Sequence, residues 1–532
     1  MRKSFILFGV IGMAISTAAL AGCGGGGAKK DQYVDGDKIK VEIHNLYFGS
    51  YEGGDTYLEK IADKFGLSFS LGTYDYPNWD TQVTSDILGK KRPDVFHANI
   101  DAYNYATSYK YWAEEFVTKP LPDDLSKWPN LKEMIENTSN IDALKIDGKL
   151  YGIPIAKNTS DYSTSFSPFT YIYRRDWAKD WGVYQENDEY TWEQFKDLLN
   201  VFKTNLASKQ RSYALGDVEW GYPSITNFYK QVPHCFAQDE NGQYVNNYTT
   251  DEYIAGLKET KRFYNDKKGY YHPDNIALSD GMMNEYYTQN QVGVFYENLS
   301  YENFNTIRLK LKENNSARPN FNVEDATAIM KIRGEDGKYA LEGTDNWFSM
   351  TFFDYRISDE KFERILNLIE WLLSEEGTIF AVYGIEGLDY EMVNGKPQII
   401  EENWSIVNGE RVANKNGAKY LRYLATLGYD TLEYNPVTNK NVVKYLNDWD
   451  TEMREAYTKG ELKILKENPK VMWLTTPLKS ENSGAMRTNA LKVVKKYSLN
   501  SDTENFVNDY KDEFGGIWTS VLKEINDAIG GK

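Results

Sequence analysis

The sequence predicts an α/β chain folded into at least two lobes, and three observations carry that expectation. Strand and helix patterns alternate from Ile39 onward, the pattern breaks into Ser, Thr and Asn between Pro154 and Tyr171 before a fresh series begins, and 532 residues exceed what one compact core holds.

The chain opens on Met1-Arg2-Lys3 and an apolar stretch from Phe5 to Leu20 that closes on Leu20-Ala21-Gly22-Cys23. The apolar run is too short for a membrane-spanning helix, and small residues before the cut are what a signal peptidase accepts, so residues 1–22 read as a lipoprotein export signal. Cleavage leaves Cys23 first, its thiol the site of lipidation. Two acyl chains, at roughly 0.8 kcal/mol per buried methylene, hold a protein on a membrane where one does so only marginally. Residues 23–37, with Gly24 to Gly27 at their head, read as a flexible tether. Removing Arg2 and Lys3 takes the formal charge from −17 to about −19, which argues against nucleic acid or an anionic bilayer as a partner bound by charge.

In the first lobe, Ile39 to Tyr47 reads as a strand. Asp55 precedes Leu58, Ile61, Ala62 and Phe65, spaced as one face of a helix. A strand from Leu67 to Leu71, a helix around Trp79 to Leu88 and a strand within Pro93-Asp94-Val95-Phe96-His97-Ala98 complete a β-α-β-α-β series. Helices between strands imply right-handed crossovers and a mostly parallel sheet. Open sheets of this kind bind ligands beyond the carboxyl ends of their strands, which selects Tyr47 to Tyr51, Tyr76 to Trp79 and Asn99 to Tyr105.

The first crossing between lobes is placed near Ile155 to Asn158. Beyond it, Thr191 and Gln194 fit a capping box opening a helix with Phe195, Leu198, Leu199 and Phe202 inward, and Thr249 to Glu252 fit another. Gln291 to Tyr296 reads as an apolar strand whose end delivers Tyr296-Glu297-Asn298. Asp147-Gly148, Asn241-Gly242, Asp336-Gly337, Asn394-Gly395 and Asn408-Gly409 each read as a hairpin turn. After Trp347, a long helix with Phe362, Ile365, Leu366, Ile369 and Leu373 inward marks a return to the first lobe. The expected division is therefore 38–155 with 348–390, and 156–347 with 391–532.

Composition narrows the function. Once Cys23 is lipidated, Cys235 has no disulfide partner, and four histidines without H-E-x-x-H or C-x-x-C predict no metal and no cofactor. Aromatic residues are over-supplied, with 41 Tyr and 13 Trp, and their flat apolar faces with polar edges suit amphipathic partners such as sugar rings.

The chain resembles the extracellular solute-binding proteins of ABC importers, in the group that binds oligosaccharides. The passages that carry the resemblance are the lipobox, Arg92 to Phe96, Asp147 to Pro154, Tyr173 to Trp177, Thr191 to Phe195, Gly293 to Asn298, and Trp371 to Gly387. The Tyr383 to Tyr390 passage is similar to large Gram-positive lipoprotein members. The resemblance implies two α/β lobes of the periplasmic-binding-protein type, joined by crossing strands and closing on a sugar between them. It places ligand contacts at Asn99 and Asp101 after the third strand, at Asn158 beyond the crossing, and at Tyr296, Glu297 and Asn298, where relatives often have a tryptophan. Trp220 and Trp347 fall where relatives supply cleft aromatics, Trp79 and Glu386 match less closely, and Tyr47 joins them from the carboxyl-edge rule.

The expected role is a lipid-anchored monomer on the outer face of the cytoplasmic membrane that captures a carbohydrate and delivers it to permease subunits. A binding protein for peptides or another small solute is the alternative. A surface carbohydrate-active enzyme is the rival from another class; it would need two carboxyls, Glu297 and Glu386, about 5 Å or about 6.5–9.5 Å apart.

Overall fold

The computed structural model describes residues 33–34, 37–48, 55–89, 92–100, 105–156, 169–209, 212–217, 224–231, 235–265, 269–271, 280–407, 410–412, 418–426, 439–466, 468–482, 492, 496, 506–513 and 515–530. Along the chain come β1 (Lys38–Asn45), α1 (Thr56–Phe65), β2 (Leu67–Thr73), α2 (Trp79–Leu88), β3 (Val95–Asn99) and β4 (Ile153–Ala156). Then follow β5 (Phe169–Arg174), α3 (Trp192–Leu206), β6 (Tyr213–Gly216), β7 (Val292–Asn298), α4 (Tyr301–Asn314), β8 (Thr327–Ile329) and β9 (Tyr339–Glu342). Next are β10 (Trp347–Phe353), α5 (Asp359–Leu373), α6 (Glu375–Tyr383), α7 (Ala418–Arg422), α8 (Lys440–Thr458), β11 (Leu462–Leu465) and α9 (Gly515–Gly530).

The first sheet runs β2-β1-β3-β10-β4, with the short strand Tyr33–Val34 added to β1. β1 lies parallel to β2 and β3, as the crossover pattern requires. β10 enters antiparallel between β3 and β4. The elements form for local reasons legible in the chain. Asp55 caps α1 by accepting the Tyr57 and Leu58 N–H groups, and Gly66, at φ 61°, ends the helix in the left-handed conformation that glycine adopts without penalty. Leu58, Ile61 and Ala62 are buried, as their spacing predicts.

A second sheet runs β8-β5-β7-β6, with β6 and β7 parallel and β5 antiparallel to its neighbours. A third joins β11, β9, Lys331–Arg333 and Glu189–Thr191. The Thr191–Gln194 capping box is present in both halves at the head of α3. The second expected box is shifted by one residue. Thr249 closes a 3-10 turn, and it is the Thr250 hydroxyl that accepts the Tyr253 N–H at the start of the helix Asp251–Asn265. Hairpin strands flank Asn241-Gly242, Asp336-Gly337, Asn394-Gly395 and Asn408-Gly409, and Ile146 pairs with Lys149 around Asp147-Gly148. Residues 408 and 409 themselves lie outside the described residues.

The apolar interior is divided. One core packs the first sheet against α1, α2 and α5, from Ile39 and Val95 to Phe352 and Ile369. Two more flank the second sheet, and a small one joins Phe236, Tyr248 and Leu257 to Trp518, Val521 and Ile525 of α9. Part of the span expected in the second lobe packs with the first: Ala418, Leu421, Leu424 and Ala425 all belong to the first core. The chain therefore crosses the boundary of the first core three times, out after Ala156, back at Trp347, and out again after Thr426, whose hydroxyl donates to the Ala156 carbonyl at 3.1 Å. Periodicity could not separate this short helix from the rest of the C-terminal region, because a few apolar residues fit either core.

Leu366 is fully buried on the inward face of α5. Leu366→Ala is expected to cost about 2–5 kcal/mol of stability, read as a lower urea midpoint in equilibrium unfolding.

Candidate ligand cleft

The carboxyl ends of β1 and β3 carry an aromatic column. Trp79, first residue of α2, donates its indole N–H to the His97 carbonyl at 2.9 Å and sets its ring 4.6 Å from the imidazole. Tyr47 stacks on the other side of His97 at 5.6 Å and 27°, and Tyr423, just past α7, stacks on Tyr47 at 4.1 Å and 25°. Tyr47 is thus packed on two sides, and Trp79 is only 5% exposed. The rings left open at this corner are Tyr76, 71% exposed and beside Trp79, and Phe348, 41% exposed and edge-on to Trp79.

Beneath the column lies a buried polar row. Asn45 Nδ2, both ring nitrogens of His97, Ser349 Oγ and Thr351 Oγ1 have no hydrogen-bond partner among the described residues, and all four side chains are fully buried. Thr351 pairs with His97 and Ser349 with Asn99 across β10 and β3. Protein interiors rarely leave such groups unsatisfied, so their clustering sets this corner apart from ordinary core. Burial alone pushes the His97 imidazole down to about 3 from 6.5, which keeps it neutral.

The second sheet offers the matching edge. β7 ends in Tyr296-Glu297-Asn298 beside the start of β5, where Phe169 stacks on Tyr296 at 6.1 Å and Tyr171 meets it edge-on at 5.4 Å. Asp217, directly after β6, accepts the Ser224 hydroxyl at 2.5 Å, and Ser224 is in turn 2.6 Å from the Tyr171 hydroxyl. Tyr296 is only 3% exposed; burial and then the Glu342 and Asp217 carboxylates push its phenol well above the usual range. Glu297 is buried and accepts the Asn298 N–H at 2.7 Å, while Asn298 accepts the Ser300 N–H at 2.9 Å.

An electrostatic influence links the two edges. Tyr423, between Leu421 and Leu424 of the first core, is pushed up to about 12, by burial first and then by the carboxylate of Glu302, in the first turn of α4. Glu302 keeps an accessible surface yet is crowded by enough protein for desolvation to raise its own carboxyl, the environment of a group in a cleft.

The residues expected at the site are therefore distributed as follows. Tyr47, Trp79 and half-buried Asn99 gather at the first carboxyl edge, and Tyr296, Glu297 and Asn298 at the second. Trp347 stands at a crossing, where its indole donates to the Ser139 carbonyl at 2.9 Å and its ring stacks on Trp473 at 5.7 Å. Glu386 is exposed on the turn after α6, a turn held by Asp389, which accepts from Ile385 N–H and the Tyr57 hydroxyl. Asp101, Asn158, Trp220 and Cys23 lie outside the described residues. Sequence reasoning passed over His97, Glu302, Tyr423 and Phe348. The position of His97 two residues before Asn99 on β3, on the same strand face, was the one available signal for it.

No family model matches the chain. The lipoprotein LipO of Bacillus subtilis (strain 168) is 22% identical over 268 residues, covering 48% of this chain and 50% of LipO, so the match spans about half of each. Among solved structures, the alginate-binding protein AlgQ2 without calcium ion aligns over 94% of this chain and 100% of its own at 13% identity and TM-score 0.64. The Streptococcus pneumoniae substrate-binding protein FusA, in complex with kestose, aligns over 93% and 100% at 13% identity and TM-score 0.64. An extracellular solute-binding protein from Bifidobacterium longum subsp. infantis aligns over 93% and 100% at 13% identity and TM-score 0.61. The fold is the two-lobed α/β fold of these solute-binding proteins, as the resemblance in the sequence implied.

The neutral burial of His97 has a measurable consequence. The unfolded chain takes up this proton near 6.5 and the folded chain only near 3, so stability tied to the neutral ring is intact above about 6.5 and falls as pH drops toward 3. Across that window the native protein is expected to lose up to about 1.4 kcal/mol per pH unit more than His97→Gln, measured by urea unfolding from pH 6.5 to 4. Parallel curves for the two proteins would mean that the imidazole is not held neutral.

Proposed function

We propose that this chain is the capture component of an ABC importer, a lipoprotein tethered through Cys23 to the outer face of the cytoplasmic membrane, and that its cargo is an oligosaccharide. The observation that carries the reading is the pairing of two carboxyl edges, each combining aromatic rings with carboxylates or carboxamides, on bodies joined by three chain crossings. Sugar hydroxyls need planar groups that donate and accept, and the C–H faces of the rings need aromatic surface. Tyr76 and Phe348 offer such surface on the first edge, with Asn99 beside them; Asn298 and the Asp217 network lie on the second. Support also comes from relatives of the same fold whose names record kestose and alginate as ligands.

The lobes in this reading are 38–155 with 348–390, extended by the segment 418–426, and the remainder of 156–532. Closure is a population shift: a ligand touching both edges favours the closed state by its differential contacts. In this reading the carboxylate of Glu302, which raises the Tyr423 phenol, acts across that movement. The closed monomer then docks on permease subunits. The work is binding and release, with no bond made or broken. Glu297 is buried against its own backbone and Glu386 sits on an exposed turn of the other body, an arrangement unlike a pair of catalytic carboxyls.

The test is a thermal-shift screen of residues 24–532 against oligosaccharides, monosaccharides and peptides. A ligand at 100 times its Kd stabilises by about 2.7 kcal/mol. One glycan is expected to raise Tm and to be recovered intact; a response to peptides alone would overturn the sugar assignment, and cleavage products would overturn the binding-protein reading. With the glycan in hand, Tyr76→Ala and Phe348→Ala are each expected to weaken binding by about 0.5–1.5 kcal/mol, roughly 2- to 12-fold, with little change in Tm. Trp347→Ala, which removes a buried ring, is expected to lower Tm by an amount that reflects about 3–5 kcal/mol.

A further inference from the structure

The amino edge of the second sheet, where β6 and β7 begin and β5 ends, lies at the opposite end of the strands from the Tyr296 cluster. An open cavity of about 340 Å³ is found there, lined by the indoles of Trp177 and Trp181, the cations Lys209 and Arg318, and the carboxamides of Asn290 and Asn315. Its size is at the lower end of small-molecule pockets, room for about one sugar ring. We propose that this cavity is a second ligand site, separate from the cleft, that takes a single acidic pyranose of the uronate type.

The chemistry of the lining selects that class. Trp177 and Trp181 sit 5.3 Å apart, and Phe202 braces Trp181 edge-on at 5.2 Å, so half-buried Trp181 presents a fixed apolar surface. Lys209 is exposed, holds its ammonium 5.2 Å from the Trp177 ring and forms no ion pair among the described residues. Lys209 and Arg318 line the cavity with one carboxylate, Asp180, and Arg318 is shared with Asp176 at 3.4 Å, so on a protein of net charge −17 the ammonium of Lys209 is the positive charge this cavity offers an anion. Asn290 is held in the left-handed conformation at φ 63° and accepts from Arg174 with its carbonyl oxygen, which leaves its NH2 group as the donor it can offer. Arg318 pairs with Asp176 at 3.4 Å, donates to Asn315 at 3.3 Å and lies 5.0 Å from the Phe321 ring. Guanidinium and amide donors suit ring hydroxyls, the indole suits a C–H face, and Lys209 suits the carboxylate. A flat aromatic acid would leave those hydroxyl-directed donors unmatched.

The experiment is calorimetric titration of residues 24–532 with glucuronate, glucose and benzoate, repeated on Trp181→Ala, Lys209→Met and the cleft variants Tyr76→Ala and Phe348→Ala, each checked for an unchanged melting transition. Saturable binding of glucuronate, at least 10-fold weaker in Trp181→Ala and in Lys209→Met and unchanged in the cleft variants, is the expected result. Should Trp181→Ala fold poorly, Lys209→Met, a change at an exposed side chain, carries the test alone. Equal binding of glucose, tighter binding of benzoate, no saturation by 50 mM, or a loss confined to the cleft variants would each overturn the proposal. Because the readout uses variants distant from the cleft, this site can stand or fall independently of the cargo bound between the lobes.

Discussion

The antiparallel insertion of β10 into the first sheet is the constraint on which the rest of the molecule depends. From Ser349 to Phe353 each residue pairs with one of β3, and on the other side Met350, Thr351 and Trp347 pair with Pro154, Ile153 and Ala156 of β4. A strand between two others fixes where the chain must leave and return: it exits after Ala156 and comes back at Trp347, so the first two crossings run side by side. The third is fastened to them by the Thr426 hydroxyl on the Ala156 carbonyl. Around this point Asp345 accepts from Ser139 and Asn140, and Trp347 rests on Trp473. In the proposed closure, these hydrogen-bonded segments are the ones about which the bodies would turn.

The same insertion builds the base of the first carboxyl edge. Placing β10 beside β3 brings Ser349 and Thr351 next to Asn99 and His97, and the returning segment 418–426 lays Tyr423 over Tyr47. The aromatic column from Trp79 to Tyr423 therefore unites residues more than 340 positions apart. Its members pack on one another, while the rings at its margin, Tyr76 and Phe348, are the exposed ones that the proposed function assigns to the ligand. Burial keeps His97 neutral between two rings and withdraws Trp79 from the surface, while Tyr47 is half-buried.

Local signals were read reliably wherever the physics was local. The Asp55 cap, the Thr191–Gln194 box, the face of α5 and the hairpin turns each depend on residues within one or two turns of chain, and each is found. Reading by spacing failed by one residue at Thr250, where either of two adjacent threonines satisfied the pattern and the preceding 3-10 turn decided between them. Over 418–426 it did not place the chain with the first core, since a short apolar helix carries no mark of which sheet it covers.

The candidate site divides along the same line. By itself the sequence determined the alternation of strands and helices, the carboxyl-edge positions of Tyr47, Trp79, Asn99 and Tyr296 to Asn298, and the composition suited to a sugar, because these follow from periodicity, turn chemistry and residue type. Only the tertiary structure decided that Trp347 braces a crossing, that Tyr296 and Glu297 are turned into the interior, and that the Glu302 carboxylate comes near enough to Tyr423 to raise its phenol. Those outcomes rest on burial and on contacts between segments far apart in the chain, and neither is set until the strands have found their neighbours.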